Sequence, residues 1–271
     1  MARVLGFANQ SGGSVKTTSV GGIAYTVATH LKRPARVIDA DDQRDISRIF
    51  GYDDPDADEN LATFADVLAG DATIAQATVP ARRFIDGAWE PIPNLFLVPG
   101  SKELASAESF LTDPNDRNYV LQDALASDDT EAITLMDFPG SLNIVTINGL
   151  YAADGIIACV KPGLKEIRAL TELESTMEKV NRRRPKNHQI QLDGVIIGDM
   201  FAKSQGHAYS DAAELASEMY GELLLPSVVH SVKVVEAFAA QRSVVDYAPG
   251  EKVSEDYIAI TEEMDKRGLF G

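Results

Sequence analysis

Short apolar, β-rich runs alternate with helical stretches along almost the whole chain, and this alternation constrains the fold more than any other feature. Arg3–Ala8, Ala35–Asp39, Asn94–Pro99, Ile133–Asp137, Gly155–Val160 and Val195–Gly198 read as strands, with Leu223–Leu225 as one more. Between and after them, Lys16–Leu31, Thr63–Leu68, Lys102–Phe110, Leu164–Arg183, Val232–Ala240 and Ser254–Lys266 read as helices. Strand–helix–strand repetition predicts βαβ units: an α/β fold with a mostly parallel, twisted sheet flanked by helices. Ile133–Asp137 and Gly155–Val160 are almost continuously apolar, as strands covered on both faces must be. Tyr52–Glu59 is read as a solvated acidic loop. No internal repeat, low-complexity tract or Gly/Ser linker divides the chain, so one domain over 1–271 is expected.

Hydrophobic residues make up 45% of the 271, enough for a large core and too many for a disordered chain. The single cysteine, Cys159, excludes a disulfide framework and Cys-rich metal sites, and fits a reducing, cytoplasmic setting. The four histidines, at positions 30, 188, 207 and 230, lack metal-ligand spacing. No apolar run approaches the roughly 18 residues of a membrane span. The 25 basic and 41 acidic residues leave a formal charge of −16, which opposes indiscriminate nucleic-acid binding but leaves room for a local basic patch.

Chemistry concentrates at three strand ends. The first run leads into Asn9-Gln10-Ser11-Gly12-Gly13-Ser14-Val15-Lys16-Thr17-Thr18 and then a helix, the setting of a phosphate-binding loop. There, successive backbone N–H groups and a helix N-terminus face an anion, and Gly12 and Gly13 permit close approach. Lys16 would reach the β- and γ-phosphates, Thr17 would bind Mg²⁺ and Thr18 would help hold the α-phosphate. The ordinary G-x-x-x-x-G-K-[ST] pattern is not met, because positions 10 and 15 are Gln and Val. Next, Val37-Ile38-Asp39-Ala40-Asp41-Asp42-Gln43 delivers carboxylates from a strand end, where parallel sheets bind ligands. Last, Ile133–Asp137 ends in Asp137, followed by Phe138-Pro139-Gly140, in the manner of a second magnesium anchor.

Taken together, these segments resemble the ParA/MinD group of deviant Walker-box ATPases, and most of all the short ParA-type partition or positioning ATPases. FANQSGGSVKTTS resembles the deviant loop K-G-G-x-G-K-T-T, VIDADDQ the D-x-D-P-Q segment, and LMDFPG the D-x-P segment. NGLYAADGIIACVKP and the stretch from Leu225 to Ile260 resemble later family segments, so the likeness runs nearly the whole length. It implies a P-loop NTPase fold with ATP/ADP and Mg²⁺ as cofactors; because the loop begins at Asn9, no N-terminal helix-turn-helix domain is expected. Lys16 would hold phosphate, Thr17 and Asp137 magnesium with Asp39 in support, and Asp41 would orient the attacking water. Ser11, Gly12, Gly13, Ser14, Val15 and Thr18 would complete the nucleotide loop. The adenine pocket would come from around Asp199–Met200 and Pro226–Ser227.

Three positions depart from the family pattern. Ser11 replaces the signature Lys that crosses a sandwich dimer, Val15 stands where Gly or Ala is usual, and Asp42 replaces Pro. A β-branched residue suits a positive φ poorly, so Val15 bears on hydrolysis if that backbone is required. The loop from Ser11 to Thr18 fits the Ser-bearing variant of McdA-like organelle-positioning proteins. Lys165 is the candidate replacement for the missing cation, with a solvated helix-start lysine as the plain alternative.

The resemblance further implies an ATP-bound homodimer, nonspecific DNA as a matrix, nucleoid association and a small ParB-like or adaptor partner that stimulates hydrolysis. Arg182, Arg183, Arg184 and Lys186 form the candidate DNA contact, and a helix C-terminal cap is the alternative. Lys203, Lys233, Arg242 and Lys252 are further candidates. The acidic final helix opposes binding to anionic lipid, so no membrane partner is expected. Two other functions stay open: a nucleotide-gated scaffold with little hydrolysis, and a biosynthetic ATP-dependent ligase.

Overall fold

In a computed structural model the chain is described over residues 3–8, 15–201 and 207–271. Among these residues, seven strands form one sheet: β1 (Val4–Ala8), β2 (Ala35–Asp39), β3 (Val79–Ile85), β4 (Ala88–Val98), β5 (Ile133–Asp137), β6 (Gly155–Val160) and β7 (Leu192–Ile197). Their order is β3-β4-β2-β5-β1-β6-β7, and every neighbouring pair except β3–β4 is parallel. From β1 the chain moves first to one side of the sheet and later to the other. The carboxyl end of β1 therefore lies at a topological switch point, where such sheets open a crevice.

Alternation along each strand builds a core on both faces. Leu5, Phe7, Val37 and Leu135 pack with α1 (Val15–Thr29) and α11 (Lys252–Lys266). Ile38, Met136 and Ile156 pack on the opposite face with α6 (Ile144–Ala152) and α7 (Leu164–Asn181). The sequence suggests one small, apolar face for the first helix. In the structure α1 is buried almost all round, because the sheet covers one side and α11 the other. At Gly22 a Cβ would lie 2.8 Å from the Tyr257 ring, so the bare backbone permits this close α1–α11 approach.

The structure alters several readings. Asn94–Pro99 is only the end of the longer β4, whose first half pairs with β3 across Asp86-Gly87. Both turn residues have positive φ, 50° and 85°, the backbone that Asp-Gly hairpin turns require. Lys102–Ser109 is a kinked 3₁₀ segment rather than a regular helix. Leu223–Leu225 is not a full strand: Gly221–Leu223 is a 3₁₀ turn, and Leu224 makes one isolated bridge to Val195. The helices α5 (Val120–Ala126), α6 and α8 (His207–Tyr220) were not read from the sequence. The acidic loop is tied down as well as solvated. Asp54 and Asp56 pair with Arg44 at 2.5 and 2.9 Å, and Asp56 accepts the Ser101 hydroxyl at 2.6 Å.

Candidate nucleotide site

Asp39 and Asp137 stand side by side because β2 and β5 run parallel in register, Asp39 opposite Asp137. Both lie two residues beyond core positions on the α1 face, Val37 and Leu135, so both project to that face. The first turn of α1 brings Lys16 and Thr17 against them. Lys16 Nζ is 3.1 Å from Asp137 Oδ1 and 3.9 Å from Asp41 Oδ2. The Thr17 hydroxyl donates to Asp137 Oδ2 at 2.7 Å. Lys16 and Asp137 are both buried, at 5% and 0% exposure, so the pair sits where water screens it weakly.

Burial pulls the Lys16 pKa down, but the charges of Asp137 and Asp41 outweigh it and hold the ammonium protonated. Burial is also the main cause that raises Asp41, to about 6. Asp39 is pushed up to about 8 by burial and by the adjacent Asp137 charge, against the opposing effect of hydrogen bonds from Ser47 and Asp41. At neutral pH the buried Lys16 cation therefore stands beside an Asp41 that has ionised and an Asp39 that largely keeps its proton.

Asp39 is a structural anchor. Its Oδ2 accepts Ser47 N–H at 2.9 Å and the Ser47 hydroxyl at 2.5 Å, and its Oδ1 accepts Asp41 N–H at 3.2 Å. Gly100 N–H donates to the same Ser47 hydroxyl at 2.9 Å. These bonds fix the Asp39 carboxyl and, through Asp41 N–H, the loop that carries Asp41. Ser47 itself was missed, since nothing in its spacing from Asp39 announces the contact.

A cleft of about 690 Å³ opens in front of Lys16 and Thr17. Asp41, Asp42, Gln43 and Asp45 wall one side, and the segment Pro139–Ser141 with Asn143 walls the other. Asp41 is held in an Asx turn by Gln43 N–H, 3.1 Å from its Oδ1. Asp137 Oδ1 is buried with the Lys16 ammonium, 3.1 Å away, as its partner among the described residues, which leaves a lone pair for a further ligand. A buried, underused carboxylate oxygen beside a threonine hydroxyl fits a hard divalent cation. The described residues hold no cluster of three or more His, Cys, Asp or Glu suited to a metal ion. That suits Mg²⁺, which takes one or two carboxylates and completes its shell with water and phosphate.

Ser11, Gly12, Gly13 and Ser14 lie outside the described residues, as does Lys203. Val15 opens α1 and is not among the residues with positive φ, so its β-branch meets no such strain. Thr18 and Val15 line a second cavity of about 200 Å³, walled by Asp199, Val228–Ser231 and Tyr257. Met200 is bonded to this wall, while Pro226 and the exposed Ser227 precede it in the chain and do not line the cavity. Met200 N–H donates to Val228 O and its carbonyl accepts His230 N–H, at 2.9 and 2.8 Å. Of the residues expected around the base, Asp199 lines this cavity, together with residues 228–231.

Lys165 is exposed on the first turn of α7 and makes no ion pair among the described residues. The basic cluster lies between α7 and β7, at the amino ends of the parallel strands and so opposite the cleft. Arg182, Arg183 and Lys186 are exposed there. Arg184 is different: its Nη1 donates to the carbonyls of Leu150, Tyr151 and Ala153, each at 2.9 Å. It caps the C-terminus of α6 and is removed from the set of free DNA contacts. Arg242 pairs with Asp246 at 2.6 Å and Lys233 with Glu236 at 2.7 Å, and Lys252 pairs with Asp256. No helix among the described residues is long and apolar enough to cross a membrane.

A family model described as an AAA domain matches residues 2–192. The chain belongs to this AAA-domain family. Its homologues there are ParA- and Soj-like partitioning ATPases. The AAA-domain chain is 28% identical to the chromosome partitioning protein ParA of Caulobacter vibrioides, over 98% of itself and 94% of that protein. It is 33% identical to the chromosome-partitioning ATPase Soj of Treponema pallidum, over 66% of this chain and 65% of Soj. Among solved structures, a Cyanothece McdA variant in complex with ATP matches with a TM-score of 0.80 at 17% identity, covering 99% of this chain and 97% of McdA. Cobyrinic acid a,c-diamide synthase of Mycobacterium smegmatis, with bound ATP analogue and magnesium, matches with a TM-score of 0.71 at 27% identity, covering 93% and 98%. These neighbours share the P-loop α/β fold, and the AAA-domain chain has its cleft at the carboxyl ends of the strands.

Proposed function

We propose that this chain is a ParA-like partitioning ATPase, one P-loop domain over residues 1–271, that binds ATP with Mg²⁺ and closes a nucleotide sandwich dimer. The observation that carries the reading is the Thr17–Asp137–Lys16 constellation facing the cleft, with a buried Asp137 oxygen left underused. Lys16 would neutralise the β- and γ-phosphates. Thr17 and Asp137 would hold Mg²⁺, which when bound would draw charge from the phosphate oxygens. Asp41, ionised above about pH 6, would orient the attacking water, and the Ser47–Asp39 bonds would keep its loop in place. Ser11 to Thr18 would form the loop around the phosphates, and the cavity beside Thr18 would take the base.

In this reading the ATP dimer rides nonspecific DNA through Arg182, Arg183 and Lys186, and a small ParB-like or adaptor partner stimulates slow hydrolysis. The cycle would position or segregate a cargo in the cytoplasm, on the nucleoid. Two readings compete. Ser11, where the family has its signature Lys, favours a nucleotide-gated scaffold with little turnover, and the diamide synthase likeness favours a ligase.

Retention on duplex DNA at low salt, with ATP, a slowly hydrolysed analogue or ADP, tests the proposal, with Lys16→Ala and Asp41→Ala beside the wild type. ATP-selective, salt-sensitive retention lost in Lys16→Ala, with turnover lost in Asp41→Ala, is the expected result. Nucleotide binding without turnover or retention would move the reading to the scaffold. Turnover indifferent to DNA and responsive to a small-molecule acceptor would move it to the ligase.

A further inference from the structure

We propose that Gly198 is a positioning residue for the nucleotide site: its missing side chain is the socket that seats Val15 and so sets the first turn of α1. The inference rests on the functional reading above, because the residues it positions are Lys16 and Thr17. A Cβ built on Gly198 would lie 2.5 Å from Val15 Cγ1 and 3.3 Å from Cγ2. Carbon–carbon contacts are optimal at roughly 3.5–4.0 Å, so the two side chains exclude one another.

Neither partner can yield cheaply. Gly198 N–H donates to Val160 O at 2.9 Å, which pins its backbone to β6. The next residue, Asp199, has φ +61° and is held by Lys161 at 3.3 Å and His230 at 2.6 Å. Val15 is buried in the α1-side core, and its carbonyl accepts the Ser19 hydroxyl at 2.6 Å. Buried there, its branched side chain has little room to swing aside. A collision at 198 would be relieved by moving the start of α1, which carries the Lys16 and Thr17 contacts to Asp137. The bulky Val15 is thus accommodated from a strand end 183 positions away in the chain.

The test is a cycle of wild type, Gly198→Ala, Val15→Ala and the double variant, read by binding of a fluorescent ADP analogue with Mg²⁺ and by apo melting temperature. A misplacement of this size near a phosphate site should weaken binding about tenfold or more in Gly198→Ala. Val15→Ala serves as the reference for the second arm of the cycle, and the double variant should bind as Val15→Ala does because the collision is gone. A purely structural role would lower melting without this rescue of affinity. If Gly198→Ala binds like wild type, or the double variant binds about tenfold more weakly than Val15→Ala, the proposal fails. If Gly198→Ala does not fold, the double variant against Val15→Ala decides: equal affinity supports the socket, and a tenfold loss overturns it. A wild-type protein that binds no nucleotide overturns the functional reading itself, an outcome distinct from a wild type that binds and a Gly198→Ala that binds equally.

Discussion

Arg184→Ala separates the two roles that the basic cluster suggests. The Arg184 guanidinium donates to three carbonyls at the end of α6, each at 2.9 Å, and its Nε donates to His188 O at 2.5 Å. A hydrogen bond from a charged group contributes about 1.5–3 kcal/mol, but four bonds from one half-buried fork do not add, because water can replace part of what is lost. We take the loss as about 2–3 kcal/mol. For a chain of this size each kcal/mol moves the melting temperature by roughly 2–4 °C, so Arg184→Ala should melt about 5–10 °C lower. Arg184→Lys keeps the charge but loses the planar fork, and should regain only part of the difference. Arg182→Ala, on an exposed side chain, should stay within about 0.5 kcal/mol of wild type. The assay pairs thermal melting with DNA retention at low salt, measured below the transition of the weakest variant. Folded Arg184→Ala should be retained like wild type, while Arg182→Ala/Arg183→Ala/Lys186→Ala should release at lower salt. An Arg184→Ala protein with unchanged melting and lost retention would refute the capping role.

Two further outcomes follow from the site. The folded pKa of Asp39, about 8, lies above its ordinary 3.8. Its contribution to stability is complete below about pH 4 and is lost as pH rises through 8, at up to ~1.4 kcal/mol per pH unit. Urea melts should therefore show wild type losing stability from about pH 4 to about pH 8 and levelling above that, with Asp39→Asn flatter; parallel curves would contradict the raised pKa. Lys165→Ala should reduce ATP-dependent dimerisation or turnover while leaving ADP binding intact, as read by sedimentation and phosphate release. Values equal to wild type would remove Lys165 as the substitute for the cation missing at Ser11.

What the sequence made legible, and what it hid, divides along the range of the interactions. Strands β1, β2, β5 and β6 could be read because burial on both faces forces near-continuous apolar runs. Their carboxyl-end residues were legible for the same reason: an Asp closing such a run has little to do in a core, so Asp39, Asp41 and Asp137 stood out. The β3–β4 hairpin carried a local signal, Asp86-Gly87, but Pro91 and Pro93 break the strand pattern on either side of Ile92. Other features had no local signal. Arg184 reads as one of four basic residues until α6 arrives beneath it, and nothing near Asp39 in the sequence announces Ser47, which bonds its carboxyl and is itself held by Gly100 N–H. Val15 is the sharpest case. In the linear sequence it looks like a defect in a phosphate loop. In the fold it is half of a matched pair, since the space it needs is supplied by the absence of a side chain at Gly198. A motif position judged by its own residue type alone omits the backbone it faces, and at this site that backbone decides whether the departure is a loss or a different solution to the same packing problem.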